Sequence, residues 1–379
     1  MVESYLMTVA LLFSGMSGLD VPKAENRYLD VKLDGIDKSG STLTINTRLE
    51  PLENLKISPK GEYAFTHVSA GYGMRKDQDF LGLKFQVFAQ DVATIERLAH
   101  PANRLLLRLW DFNVNRLRLD HRRDIPFVDV YLTNEGQAGG EHLMGVDPGE
   151  VDSNGTPRRA NMIYIYKLAT FKDPVEQCRE LAHEYGHASI PAIGGFSGPE
   201  NWANGDVGER IYLSWISAEL KAGALKPEDA MGVAPGGLEN YLNSKVTPMI
   251  KRIGQNGPNA ALLAQTDAKA FDEYVATAVY CEAILPRVSF ARSLALQNGT
   301  KATDYFKAVS DAISEREQWE PRIPEALNGF PIWIPLVKGT IKGAKILEKK
   351  GDWAKVQPSS QTVIITNPPI DNNQSKAKS

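Results

Sequence analysis

Apolar and polar positions alternate through the first part of the chain. Residues 28–33 (YLDVKL), 41–48 (STLTINTR) and 83–89 (LKFQVFA) each repeat every second position and are separated by Gly, Asp and Pro, which predicts strands. From Asp91 to about residue 119 the period lengthens to that of a helix, with a break expected at Pro101. Its segment 103–117 (NRLLLRLWDFNVNRL) is too apolar to lie free on a surface and is expected to pack under a sheet. Residues 126–133 (PFVDVYLT) and 160–168 (ANMIYIYKL) read as strands again, joined by a long Gly- and Asp-rich loop. From Asp173 to Gln318 almost everything reads as helix, interrupted by loops such as GVAPGG and GQNGPNA. After Pro324 short β runs return, notably 362–366 (TVIIT), and the polar tail NNQSKAKS is expected to be disordered. No internal repeat is visible. The predicted fold class is therefore α+β.

Composition narrows the function more than the fold. The 379 residues are 42% hydrophobic and 23% charged, an ordinary globular balance. A net charge of −3 argues against a nucleic-acid partner, and the basic residues between Arg104 and Arg123 read as the solvated edges of an apolar helix. Two cysteines, Cys178 and Cys281, exclude a disulfide scaffold and a Cys-rich zinc module, and both read as buried thiols. No run approaches the ~18 apolar residues of a membrane span. The stretch from Tyr5 to Phe13 instead has the length of a signal-peptide core, with Gly15 and Ser17 at plausible cleavage positions. That reading puts the mature start near Gly18 and the protein in a secreted or periplasmic setting. Against it stands an n-region, MVES, that carries Glu3 and no Lys or Arg; the other reading is a buried helix or strand. Phosphate-binding loops of either common type and the Gly-x-Ser-x-Gly elbow are absent from the sequence.

The chemistry concentrates between Asp173 and Pro191. Asp173 suits an N-cap, Pro174 the first helical position, Glu176 the third position of a capping box and Pro191 the stop, so a helix is expected over 174–190. Inside it lies His183-Glu-Tyr-Gly-His187. One turn apart, the two imidazoles project from one face and can share a Zn²⁺ ion. Glu184 is offset by about 100°, so it flanks the ion and can accept a proton from a metal-bound water. The bland reading is two core histidines bonded to the backbone and to Glu184. Burying such a trio without an organising cation is costly.

This segment resembles the active-site helix of the zincin metallopeptidases, over roughly residues 125–222. The resemblance implies a small mixed sheet over the active-site helix, then a helical subdomain, with substrate pairing to an edge strand for which 161–167 is the candidate. It also implies a third ligand downstream. No histidine follows His187, and Ile190 stands where the metzincin pattern has Gly. The remaining ligands are carboxylates: Glu209 first, with Glu200 and Asp206 as alternatives. Glu209 shares a helical face with Tyr212, Leu213, Ile216 and Leu220 and should point inward, where a carboxylate wants a cation. The stretch from Trp202 to Glu209 looks gluzincin-like, although Asn204 and Glu209 are not adjacent as they usually are there. Asp206-Val-Gly-Glu209 is itself a capping-box pattern, which would give Glu209 a purely local role. For the oxyanion donor that similar enzymes carry, the candidates are Tyr241, Tyr274 and Tyr280, with none preferred.

The expectation is a zinc metallopeptidase acting on a peptide or protein substrate. His183, His187 and Glu209 hold Zn²⁺, and Glu184 is the base. The alternatives are a zinc hydrolase of a non-peptide bond and a non-catalytic zincin-like binding or adhesive protein. The expected organisation is a signal peptide over 1–17, a β-rich region over 18–92, the zincin-like unit over 93–205, a helical subdomain over 206–323 and a short β tail over 324–379.

Overall fold

A computed structural model describes residues 27–32, 42–57, 63–75, 83–117, 119, 127–151, 157–168, 171–191, 193–297, 301–360 and 362–368. The apolar stretch read as a signal peptide and the polar tail lie outside them. The architecture is mixed α+β. Seven strands form one sheet: β1 (Arg27–Lys32), β2 (Thr42–Ile57), β3 (Ala64–Arg75), β4 (Leu83–Ala89), β5 (Phe127–Thr133), β6 (Gly139–Val151) and β7 (Pro157–Tyr166), in the order β1-β2-β3-β4-β5-β7-β6. β1 to β4 form an antiparallel meander. β4, β5 and β7 run parallel, and β6 returns antiparallel along β7 as the sheet's edge.

The parallel step from β4 to β5 needs a crossover, and the apolar segment foreseen as helix provides it. Helix α1 (His100–Phe112), flanked by π-helical turns at Ile95–Ala99 and Asn113–Leu117, carries Pro101 at its second position, directly after the first π-turn. The expected break at Pro101 does not occur. Leu105, Leu106, Leu109 and Trp110 are buried in one core with Phe85, Val128, Ile163 and Ile165 of the sheet. The opposite sheet face carries Phe65, Phe88, Tyr131 and Tyr164, with Phe88, Tyr131 and Tyr164 stacked in series at centroid distances of 5.0 and 4.9 Å.

Three expectations change here. The Gly- and Asp-rich segment between β5 and β7 is mostly strand, not loop, because the edge of β7 offers its backbone a ladder from Gly139 to Asp147 and again at Val151. Consequently 161–166 of the expected edge strand 161–167 is interior, paired on both sides, Lys167 lies past its end, and β6 is the edge strand. The N-terminal strands also continue the central sheet.

Helix α2 (Pro174–Ser189) packs beneath β6 and crosses α3 (Asn204–Ala222) at a glycine contact. A Cβ on Gly208 would lie 2.6 Å from Gly186 Cα, and one on Gly186 would lie 2.8 Å from the Asn204 carbonyl. Only glycine permits this approach. Helices α4 (Thr247–Asn256), α5 (Ala268–Ile284), α6 (Arg287–Leu296) and α7 (Ala302–Ser314) follow, then two small three-stranded sheets. Among the described residues no helix is long and apolar enough to cross a membrane.

Candidate metal centre

Helix α2 takes the Asp173 cap and the Pro174 first turn that its sequence predicts, but not the capping box expected of Glu176. Asp173 Oδ1 accepts from Val175 N at 2.9 Å and Pro174 takes the first turn, while Glu176 meets Arg179 Nε at 3.1 Å. One turn apart, His183 and His187 turn their Nε2 atoms to within 3.2 Å of each other. The loop between α2 and α3 then brings Glu200 onto both: Oε1 lies 3.1 Å from His183 Nε2 and Oε2 lies 3.3 Å from His187 Nε2.

The far side of each ring decides what these nitrogens carry. His183 Nδ1 lies 3.0 Å from Glu209 Oε2, and an ionised carboxylate only accepts, so the proton is on Nδ1. His187 Nδ1 lies 3.0 Å from Asn204 Oδ1. The Asn204 amide is oriented by its Nδ2, which donates to the carbonyls of His187 at 2.9 Å and Ile190 at 3.2 Å, also satisfying the end of α2. Held this way, the two rings turn their Nε2 atoms toward each other and toward one carboxylate. Three acceptors about 3 Å apart repel unless a proton or a cation stands among them.

The titration behaviour carries the same imprint. Burial by itself would lower the His183 imidazolium, but the bonds to Glu200 and Glu209 and the charge of Glu184 outweigh it and push it to about 11. Burial would raise Glu200, yet the two histidines bring it down to about 2. Burial likewise works against Glu209, which is lowered because His183, Arg210 and Tyr241 together outweigh it.

Glu184 lies against the edge strand, where a Cβ on Gly140 would fall 2.5 Å from its Cγ. It is 4% exposed, and its Oε2 is buried without a hydrogen-bond partner. Burial pushes its carboxyl up to about 7 against the pull of His183 and His187. Two residues along β6, His142 bonds Asn161 Oδ1 at 2.9 Å and sets its ring parallel to that of His187, centroids 6.4 Å apart. Burial and the nearby His187 lower His142, with Asn161 opposing.

The structure thus brings His183, Glu184, His187 and Glu200 together and puts Glu209 elsewhere. Glu209 lies on the Nδ1 side of His183, not among the Nε2 atoms, because α3 starts at Asn204 and aims position 209 at the back of the ring. The capping-box role does not arise either, since Asp206 already lies in the first turn of α3. His183, Asp206 and Glu209 form a second acidic grouping. Its cation demand is met by guanidinium groups: Arg210 pairs with Asp206, and Arg179 reaches Glu209 at 3.5 Å. Of the three tyrosines only Tyr241 reaches the site. Tyr274 donates to Gln297 Oε1 at 3.2 Å and Tyr280 to the Trp333 carbonyl at 2.6 Å. A cleft of about 670 Å³ opens beside His183 and Glu200 toward Tyr241 and Lys245.

Sequence reasoning missed His142 and Gly140, which carry no motif and sit in a stretch that reads as loop. It also gave no sign of Gly205, whose missing side chain makes room for His187: a Cβ there would lie 2.3 Å from Nε2. Gly205→Ala improves helix propensity by about 1 kcal/mol. If the centre holds a metal, the substitution is nevertheless expected to weaken its binding roughly 10–100-fold by displacing the ring, as read by chelator competition with the circular dichroism unchanged. Compared with known proteins, the chain matches no family model and no curated protein sequence.

Proposed function

We propose that this chain is a zinc-dependent hydrolase, with a peptide bond as its target and with His183, His187 and Glu200 as the metal ligands. The observation that carries the reading is the arrangement of His183 Nε2, His187 Nε2 and the Glu200 carboxylate. The three groups converge on one point, where a proton or a cation must stand, while each imidazole is pinned by an acceptor behind it. Such backing raises ligand basicity and fixes the tautomer that a zinc ligand needs. Two imidazoles and one carboxylate are also a donor set suited to hydrolytic zinc. Zinc bound there supplies Lewis acidity, polarising a carbonyl and easing the ionisation of water.

The remaining roles belong to the protein. Glu184 takes the proton of the attacking water on a carboxylate oxygen and returns it to the leaving nitrogen. Its burial beneath Gly140 supports this role, since a carboxyl poised near neutrality can both accept and donate. The preference for a peptide rests on β6, the edge strand of the sheet among the described residues, which passes over Glu184 at Gly140 and is the strand to which an extended substrate would pair by its main chain.

Metal analysis of protein purified without added metal or a metal-affinity tag is expected to find about one zinc per chain, absent from His183→Ala. Hydrolysis of casein or a peptide library should stop on chelation and return with zinc. A chain that takes up no zinc after reconstitution has histidines that serve only the core. One that binds zinc and cuts nothing is a binding protein.

A further inference from the structure

The chemistry proposed above makes no use of Tyr241, although its hydroxyl reaches the site. Tyr241 ends the short turn Glu239–Tyr241 and, with Asn240, Ser244 and Lys245, walls the cleft beside His183 and Glu200. Its hydroxyl donates to Glu209 Oε1 at 2.6 Å, while Oε2 of the same carboxylate accepts from His183 Nδ1 at 3.0 Å. One carboxylate therefore joins the wall of the cleft to the back of a histidine, each oxygen with its own partner. Arg179, at 3.5 Å from Oε2 and also engaged with Glu176 and Glu180, competes for that carboxylate from the other side.

We infer that Tyr241 is a positioning residue for the metal centre, acting through Glu209 to fix the ring plane and tautomer of His183 and so to set how tightly zinc is held. This rests on the zinc reading above. The physical chain is short. A carboxylate with one oxygen released can turn toward Arg179, and the His183 Nδ1 proton then loses its acceptor. With that bond gone the ring has less reason to keep its proton on Nδ1, and any fraction protonated on Nε2 cannot ligate. Partners behind a ligating histidine typically carry 10–100-fold of metal affinity. Tyr241 is one bond further out, so the lower end applies.

The test compares Tyr241→Phe with Tyr280→Phe in the full chain, titrating zinc against a chromophoric chelator. Tyr280 loses an equally short, buried hydroxyl bond, but one made to the Trp333 carbonyl. Tyr241→Phe should raise the zinc Kd about tenfold and Tyr280→Phe should leave it within twofold, whatever either does to the melting temperature. An unchanged Kd in Tyr241→Phe, or an equal rise in both variants, overturns the inference. If the wild-type chain binds no zinc, the functional reading fails, and nitrogen-15 NMR of the metal-free histidines still decides the role of Tyr241. A His183 Nδ1–H signal that shifts or exchanges faster in Tyr241→Phe supports the relay. An identical signal refutes it.

Discussion

Glu184→Gln is expected to keep zinc at wild-type stoichiometry and lose hydrolysis by 10²–10⁴-fold, or about 3–5 kcal/mol of transition-state stabilisation. The substitution is isosteric and touches none of the three groups that face one another at the metal centre. What it removes is the capacity of a buried carboxylate to take a proton. The same residue is 4% exposed with one oxygen unpartnered, so the folded chain gives up stability by holding it there. A neutral amide relieves part of that cost, and the melting temperature should stay level or rise. Loss of rate without loss of fold or metal separates a base from a structural acid. Activity within tenfold of wild type, with zinc bound, would remove Glu184 from the chemistry.

The second large effect falls on the proposed third ligand, Glu200. Glu200→Ala should cost more than a hundredfold in zinc affinity. Structural zinc sites release about 10–16 kcal/mol, which over four ligand positions assigns roughly 3 kcal/mol to each. Glu209→Ala should cost only the 10–100-fold of a partner behind a ligand. The geometry dictates this order, since Glu200 spans both Nε2 atoms while Glu209 meets only Nδ1 of His183. The loop that carries Glu200 is held at several points. Gly195 N donates to Asn201 Oδ1 at 2.8 Å, Ser197 N to the Thr266 carbonyl at 2.7 Å, and Trp202 packs onto Gly194. Removing its carboxylate should therefore leave the loop in place. Measuring both affinities on one chelator scale decides the matter, and the reverse order would return the ligand to Glu209.

The contrast between these two glutamates shows how far a sequence can be read. Glu209 has the better local signature, because an acid on the apolar face of a helix is visible as a conflict with its neighbours Tyr212, Leu213 and Ile216. The structure resolves that conflict with an imidazole N–H, a tyrosine hydroxyl and an arginine. Glu200 sits in an irregular loop between Pro199 and Asn201, where no periodicity reveals the direction of a side chain. The same limit hid β6. Its glycines weaken strand propensity, and it forms because β7 has a free edge to pair with, which is a non-local fact.

The sequence by itself determined whatever depends on neighbours within a turn or two. Those features are the helix over Pro174–Ser189 with its Asp173 cap, the shared face of His183 and His187, the offset of Glu184, and the burial of the long apolar crossover. Capping, helical period and hydrophobic burial are short-range or summed over many residues, so they survive without coordinates. Only the tertiary structure decided which carboxylate meets the two Nε2 atoms, which strand forms the edge above Glu184, and that Gly205 and Gly186 leave room for the rings and helices to meet. Each of these is a contact between segments whose relative placement is set by the whole core, at a tolerance of a few tenths of an ångström that no local pattern encodes.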